Sequence, residues 1–328
     1  MSNGILVYAE VTRENYLHTA AFELAAKAVE LSAKIPNAPV MVLVLLKPNL
    51  INDFKEAFKY NGVDKVFYVA DEKLSEYRSD VFAKAAIDAV KEINPEIMLI
   101  AATNQGRELA PRISTALHTG LTADCTALDI MENGKLAATR PTFGGQLMAT
   151  ILSKTTPQMA TVRPKVFKPL KDPVFKDTSF IKLGIDLSDF KSNIEILDFK
   201  KKIECEINNL DSAEIIVAGG RGMQSKEGFE LLQRLADKLG GTVGASRVAV
   251  EMGLAPQSCQ IGQTGKTVCP KLYIACGISG ALQHTVGMEN SLKIISINTD
   301  KNAPIFEISD YGYVGDAFDV IPKIIDLL

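Results

Sequence analysis

AEIIVAGGRGMQSKEGFELLQRLADKLGG, residues 213–241, decides the fold of this 328-residue chain. An apolar run of strand length ends in a glycine pair. A polar turn follows, then a segment with Leu232, Leu235, Ala236 and Leu239 at helical spacing. Ser225 is expected to cap that helix, because its hydroxyl accepts a hydrogen bond from a first-turn amide that has no partner inside the helix. Gly240 is expected to stop it, because glycine tolerates the left-handed conformation of a helix end. A strand without polar alternation that passes through glycines into a helix is the repeating unit of a parallel sheet covered on both faces.

The same unit recurs on either side. Downstream lie KLYIAC (271–276), SGALQHTVG (279–287), LKIISIN (292–298) and GDAFDVIPKIIDLL (315–328). Upstream, ILVYA (5–9), VMVLVLL (40–46), KVFYVA (65–70) and EIMLIAA (96–102) alternate with helical patterns at 15–34, 51–62 and 79–94. Beyond Gly120 the shorter strand candidates ALDIM (127–131), KLAATR (135–140) and QMATV (158–162) suggest an edge extension. Residues 163–210, rich in Lys and Pro, read as a linker with one strand at ILDFKKKIECEI (196–207). The expected fold is α/β with two domains, 1–195 and 196–328, each a mostly parallel sheet with helices on both faces.

Composition narrows the function classes. Hydrophobic residues make up 47% and charged residues 23%, values of an ordinary globular protein that exclude general disorder. A net charge of -3, with Lys and Arg scattered, offers no basic face for nucleic acid or an anionic membrane. The longest apolar run, 40–46, is too short to cross a bilayer, and MSNGILVYAE lacks the basic and apolar regions of a secretory signal. Cytoplasm is the expected compartment. The 5 cysteines include no C-x-x-C pair, so neither a disulfide framework nor a tetrahedral metal site is indicated.

IGQTGKTVCP (261–270) contains the GKT that ends a triphosphate-binding P-loop, but Gln260 stands where that motif needs its first glycine. AGGRGMQS (218–225) begins like a dinucleotide fingerprint, yet Ser225 replaces the third glycine, and no acid for a ribose hydroxyl follows before Ser246 and Arg247. Standard ATP and NAD sites are both disfavoured. Four segments, 218–225, 244–247, 261–267 and 276–284, nonetheless fall at strand ends, where open parallel sheets bind ligands. Amides near Ser279, Gly280 and Ala281 suit a pyrophosphate at a helix start. Taken singly, the glycines make turns, His284 is an ordinary helical histidine, and Arg247 and Lys266 are solvated charges.

Taken together, RGMQSKEGF, GASRVAVEMG, IGQTGKTVCPKLYIACGISGALQHTVGME and SINTDKNAPIFEISDYGYVGDAF resemble, in order and spacing, the FAD domain of electron transfer flavoprotein alpha subunits. GRELAPRIS, TGLTADCT and TRPTFGGQLMATI resemble that family's amino-terminal domain, and are most similar to its anaerobic, NADH-linked, electron-bifurcating members. The resemblance implies that FAD is held by Arg221, Ser246, Arg247, Ile261, Gly262, Gln263, Thr264, Ser279, Gly280, Ala281, Leu282, Gln283, His284 and Asn298. It makes GQTGK part of a flavin pocket. It places the Thr264 hydroxyl at flavin N5, Arg247 over the ring face and His284 near the C2 carbonyl, with Asp316 a secondary polar contact.

The resemblance further implies a heterodimer with a beta subunit, against which the amino-terminal domain packs. Electrons would come from an acyl-CoA dehydrogenase, or from NADH through a beta-subunit flavin, and the FAD domain would swing on its linker between partners. Arg140 and the turn Phe143, Gly144 and Gly145 either face the partner's flavin or form an ordinary strand and turn. One-electron reduction puts negative charge on the N1 and C2 carbonyl region of a flavin, so a cation or strong donor there raises the potential. A hydrogen bond to a charged group, worth about 1.5–3 kcal/mol, corresponds to roughly 60–130 mV for one electron. On this basis Arg247, Thr264 and His284 are the expected redox-tuning residues. A nucleotide-hydrolysing enzyme that uses GKT, and an interaction module without flavin, are the rival expectations.

Overall fold

The computed structural model describes residues 3–142, 147–199, 210 and 213–328. In β1 (Ile5–Ala9) and β2 (Val40–Leu46) every residue is buried, because both faces of the sheet are covered. Ile5, Val7 and Ala9 enter one apolar cluster with Leu24, Ala28 and Phe58, whereas Leu6 and Tyr8 enter another with Val81, Ala85 and Leu109. The first cluster packs under α1 (Ala20–Ser32) and α2 (Ile51–Lys59); the second packs under α3 (Ser79–Ile93) and α4 (Asn104–Ala116).

With β3 (Lys65–Ala70), β4 (Ile97–Ala101), β5 (Leu121–Cys125), β9 (Gln158–Val162) and β10 (Ser179–Lys182), these strands form a seven-stranded sheet in the order β10-β3-β2-β1-β4-β9-β5. All its pairs are parallel. A separate antiparallel sheet joins β6 (Ala127–Ile130), β7 (Leu136–Thr142) and β8 (Leu147–Leu152).

Three expectations change here. QMATV is not an edge extension but lies between β4 and β5, with all five residues buried. The other two candidates of that extension, ALDIM and KLAATR, fall instead in the separate antiparallel sheet, as β6 and β7. Finally, the stretch after Arg163 is only partly a connection: Ser179–Lys182, SFIK, adds to the sheet edge beside β3, where a short, partly exposed strand is tolerated. Of the strand expected at 196–207, residues 196–199 show no strand and the rest lie outside the described residues.

The chain divides into two compact units, the first reaching Phe199 and the second holding the described residues from Leu210 onward. The second has its own core, built on Val217, Leu232, Tyr273 and Ile297. Its sheet joins β11 (Ile215–Gly219), β12 (Thr242–Ala245), β13 (Leu272–Cys276), β14 (Ile294–Asn298) and β15 (Tyr311–Val314) in the order β12-β11-β13-β14-β15, all parallel. α5 (Lys226–Leu239) starts at Ser225, whose hydroxyl accepts from the Gly228 amide, and stops at Gly240 in the left-handed conformation. Both caps match the residues read as start and stop signals. α6 (Arg247–Glu251), α7 (Leu282–Thr285) and α8 (Ala317–Leu327) complete the unit.

Candidate cofactor site

In the order β12-β11-β13-β14-β15, the strand following β11 in the chain lies on one side of it and β13 on the other, so the connections leave in opposite directions. The carboxyl ends of β11 and β13 splay a crevice at this point, the position where open α/β sheets bind ligands. Gly220, Arg221 and Gly222 follow β11, and Gly277, Ile278 and Ser279 follow β13; both sets line a cleft of about 690 Å³. Cofactor clefts span roughly 300–1000 Å³.

The cleft gathers most residues expected from the sequence: Arg221, Ser246, Arg247, Ile261, Gly262, Gln263, Thr264, Ser279, Ala281, Gln283, His284 and Asn298 all line it, as does Asp316. Gly280 and Leu282 sit in the same turn and helix start but are not in its lining. Backbone geometry makes the walls. Gly262 has φ +133°, and a Cβ there would lie 2.4 Å from the Gln283 carbonyl oxygen, so the 261–264 turn seats directly on the start of α7. The Gln263 amide completes the join by donating to the same carbonyl at 2.7 Å. Gly280 has φ +87° and would place a Cβ 2.1 Å from the Ile305 nitrogen, whose amide donates to the Ser279 carbonyl.

The GKT tripeptide does not form a triphosphate cradle. The Gly262 amide donates to the Lys266 carbonyl and the Lys266 amide to the Gln260 carbonyl, closing a small loop, and no helix follows Thr267. A P-loop feeds a helix whose first amides hold the phosphates, so the ATP-hydrolysing alternative lacks its structural context.

Several side chains expected at the ligand are engaged with the protein. Ser246 caps α6 by accepting from the Ala249 amide. Asn298 donates to the Ile278 carbonyl at 2.9 Å and accepts from the Asp300 amide at 2.9 Å, tying the loops after β13 and β14 together. Asp316 caps α8 by accepting from the Phe318 amide. Arg247 is exposed, and its Nε donates to Glu251 at 2.8 Å.

His284 lines the cleft and is also held from within the protein. Its Nε2 lies 2.9 Å from the Tyr273 hydroxyl and its Nδ1 lies 3.1 Å from the Ile261 carbonyl. A carbonyl only accepts, so Nδ1 carries the proton and Nε2 accepts from Tyr273. Burial holds the ring neutral, with its pKa lowered to about 4. Both ring nitrogens have partners within the protein, Tyr273 and Ile261. The feature that sequence reasoning missed is Tyr273, a strand residue whose only signal was a phenol in an otherwise apolar run, KLYIAC.

A parallel sheet with a glycine-walled cleft at its switch point, two exposed arginines, Arg221 and Arg247, in the lining and no P-loop defines a binding unit for a nucleotide cofactor. The electron transfer flavoprotein domain matches residues 5–181, and the electron transfer flavoprotein FAD-binding domain matches residues 209–289. The chain is 47% identical over 325 residues to an electron transfer flavoprotein subunit alpha of Thermoanaerobacterium thermosaccharolyticum, covering 98% of this chain and 96% of the relative. It is 46% identical over 328 residues to the same-named subunit of Clostridium acetobutylicum, covering 98% and 96%. It is 40% identical over 353 residues to an acryloyl-CoA reductase electron transfer subunit beta of Anaerotignum propionicum, covering 99% and 95%. The chain belongs to the electron transfer flavoprotein alpha-subunit family, and its cofactor is FAD. No helix among the described residues is long and apolar enough to cross a membrane.

Proposed function

We propose that this chain pairs with a beta subunit and passes single electrons through FAD seated in the β11–β13 crevice, between a dehydrogenase of acyl-CoA substrates and a second redox protein. The observation that carries this reading is the convergence of the Gly220, Ile261–Thr264 and Gly277–Ala281 segments on one cleft. FAD supplies the redox chemistry when bound; the protein supplies position and field. The backbone amides and small residues of 277–281 suit the pyrophosphate, and Thr264, on the 261–264 turn in the cleft lining, would offer its hydroxyl to the flavin N5. Arg247, at the start of the short helix α6 and in the cleft lining, would place a positive charge over the ring. His284 acts through the turn it holds, not as a donor.

The amino-terminal domain, up to about residue 195, is the part that packs on the beta subunit. Within it the Arg140 Nε is buried with no hydrogen-bond partner among the described residues, which supports a role in meeting that subunit; Phe143, Gly144 and Gly145 lie outside the described residues. NADH as donor, through a second flavin on the beta subunit, and with it electron bifurcation, is the second reading. It is favoured by the similarity to the clostridial proteins named above.

The test is to purify the chain with and without a cognate beta subunit, count the FAD per chain, and titrate the bound flavin with a reductant. One FAD retained per chain, and lost on Gly262→Ala, supports the assignment. FAD that follows only the beta subunit refutes it.

A further inference from the structure

A hydroxyl both donates and accepts, and a neighbouring donor that occupies its oxygen biases its proton toward another partner. Gln260 is such a donor to Thr264. It is buried, 3% exposed, between β12 and the 261–266 loop, with its own carbonyl accepting from the Lys266 amide and its amide donating to the Gln257 carbonyl. Its side-chain Nε2 donates to the Thr264 Oγ1 at 2.9 Å. Its Oε1 accepts from the Gln257 Nε2 at 3.1 Å. With its oxygen turned to Gln257, the Gln260 amide presents its NH₂ group to Thr264. The Thr264 oxygen then spends a lone pair on Gln260, and its own proton is left to point elsewhere. Thr264 lines the cleft and is exposed there.

We propose that Gln257 and Gln260 form a relay that orients the Thr264 hydroxyl as a hydrogen-bond donor into the cleft, making Gln260 a positioning residue for the flavin N5. The inference rests on the reading that Thr264 faces the ring. It also accounts for Gln260 occupying the place of a P-loop glycine. An extended residue there, with φ -68° and ψ 127°, has no need of glycine, and its side chain is what the site uses.

The relay predicts graded effects of one sign for changes of similar size. Gln260→Glu, above neutral pH where its carboxyl is ionised, replaces the donor with an acceptor. The Thr264 proton turns to that carboxylate, and N5 loses its partner. Gln260→Met removes the donor without replacing it and gives a smaller change of the same sign. Gln257→Leu, at an exposed position, frees the Gln260 amide to turn over and gives a partial effect.

The experiment uses the full chain with its beta subunit, loaded with FAD carrying ¹⁵N at N5, and reads the N5 chemical shift together with the first reduction potential. Thr264→Val is expected to move the N5 resonance toward its value without a hydrogen bond and to lower the potential. Gln260→Glu is expected to do the same, and to do nothing further in a Thr264→Val background. If Thr264→Val shifts N5 while the Gln260 variants leave it in place, or if Gln260→Glu adds a full shift on top of Thr264→Val, the relay is wrong and the placement of Thr264 stands. If Thr264→Val itself leaves N5 unmoved, the reading of Thr264 fails and the relay with it. Should the Gln260 variants fail to retain FAD, Gln257→Leu decides: a partial N5 shift supports the relay, and an unchanged resonance overturns it.

Discussion

At the scale of single residues, His284 and Arg247 show how burial divides roles that look alike in the sequence. His284 is nearly sealed, its nitrogens committed to Tyr273 and Ile261, and burial lowers its pKa to about 4. The unfolded chain, with an imidazole pKa near 6.5, therefore takes up the proton first as pH falls. Stability is full above about pH 6.5 and drops by roughly 1.4 kcal/mol per unit between there and pH 4. Urea unfolding at pH 7 and pH 5 should show this extra loss in the wild type and not in His284→Asn, which starts less stable; parallel losses in the two would rule it out. Half-buried Glu10 also has its pKa raised, mainly by desolvation, so the difference between the two proteins is the informative quantity. Arg247 is exposed and shares its charge with Glu251. Its effect on the flavin is correspondingly modest: Arg247→Gln should lower the first reduction potential by on the order of 1 kcal/mol, roughly 40 mV, measured by dye-coupled titration. An unchanged potential would remove Arg247 from the tuning residues.

At the scale of elements, the site depends on contacts between short loops and not on any long helix. The 261–266 loop closes on itself through Gly262 and Lys266, sits on α7 through the Gln283 carbonyl, and is pinned from beneath by His284. Gly262→Ala would need both a rare backbone conformation and a Cβ 2.4 Å from a carbonyl oxygen. The expected outcome is loss of FAD binding by tenfold or more, since several kcal/mol of strain must be relieved by moving the turn. Calorimetric titration of the flavin-free protein with FAD measures this. A variant that binds FAD normally would mean the turn is free to shift, and that its position does not set the site.

At the scale of the whole molecule, the cleft is lined entirely by residues of the second unit, which also has its own core and an uninterrupted parallel sheet. A fragment of residues 200–328 should therefore fold and bind FAD within about tenfold of the full chain, as read by quenching of flavin fluorescence. A fragment that folds by circular dichroism yet ignores FAD would show that the site needs the rest of the chain or the beta subunit. The swing expected of this unit predicts that dyes placed on the two units report different distances with and without redox partners, and a single unchanged distance would exclude it.

The sequence by itself determined the periodic elements and the positions of the ligand loops. β2 and β3 occupy the runs VMVLVLL and KVFYVA, and α5 runs from its serine cap to its glycine stop, because unbroken apolar runs and local capping chemistry act over a few residues whatever lies around them. The glycine-rich segments at strand ends were legible for the same reason, and most of the residues that the family resemblance implied do line the cleft. Only the tertiary structure decided strand order, which put QMATV inside the sheet and a Lys-flanked edge strand at 179–182, since pairing partners far apart in the chain leave no local mark. It alone also decided the state of each polar side chain. A histidine or glutamine in a motif can face a ligand or turn inward, and what settles it is a partner such as Tyr273 or Thr264 brought within hydrogen-bond distance by the fold, together with the cost of burying a polar group without one.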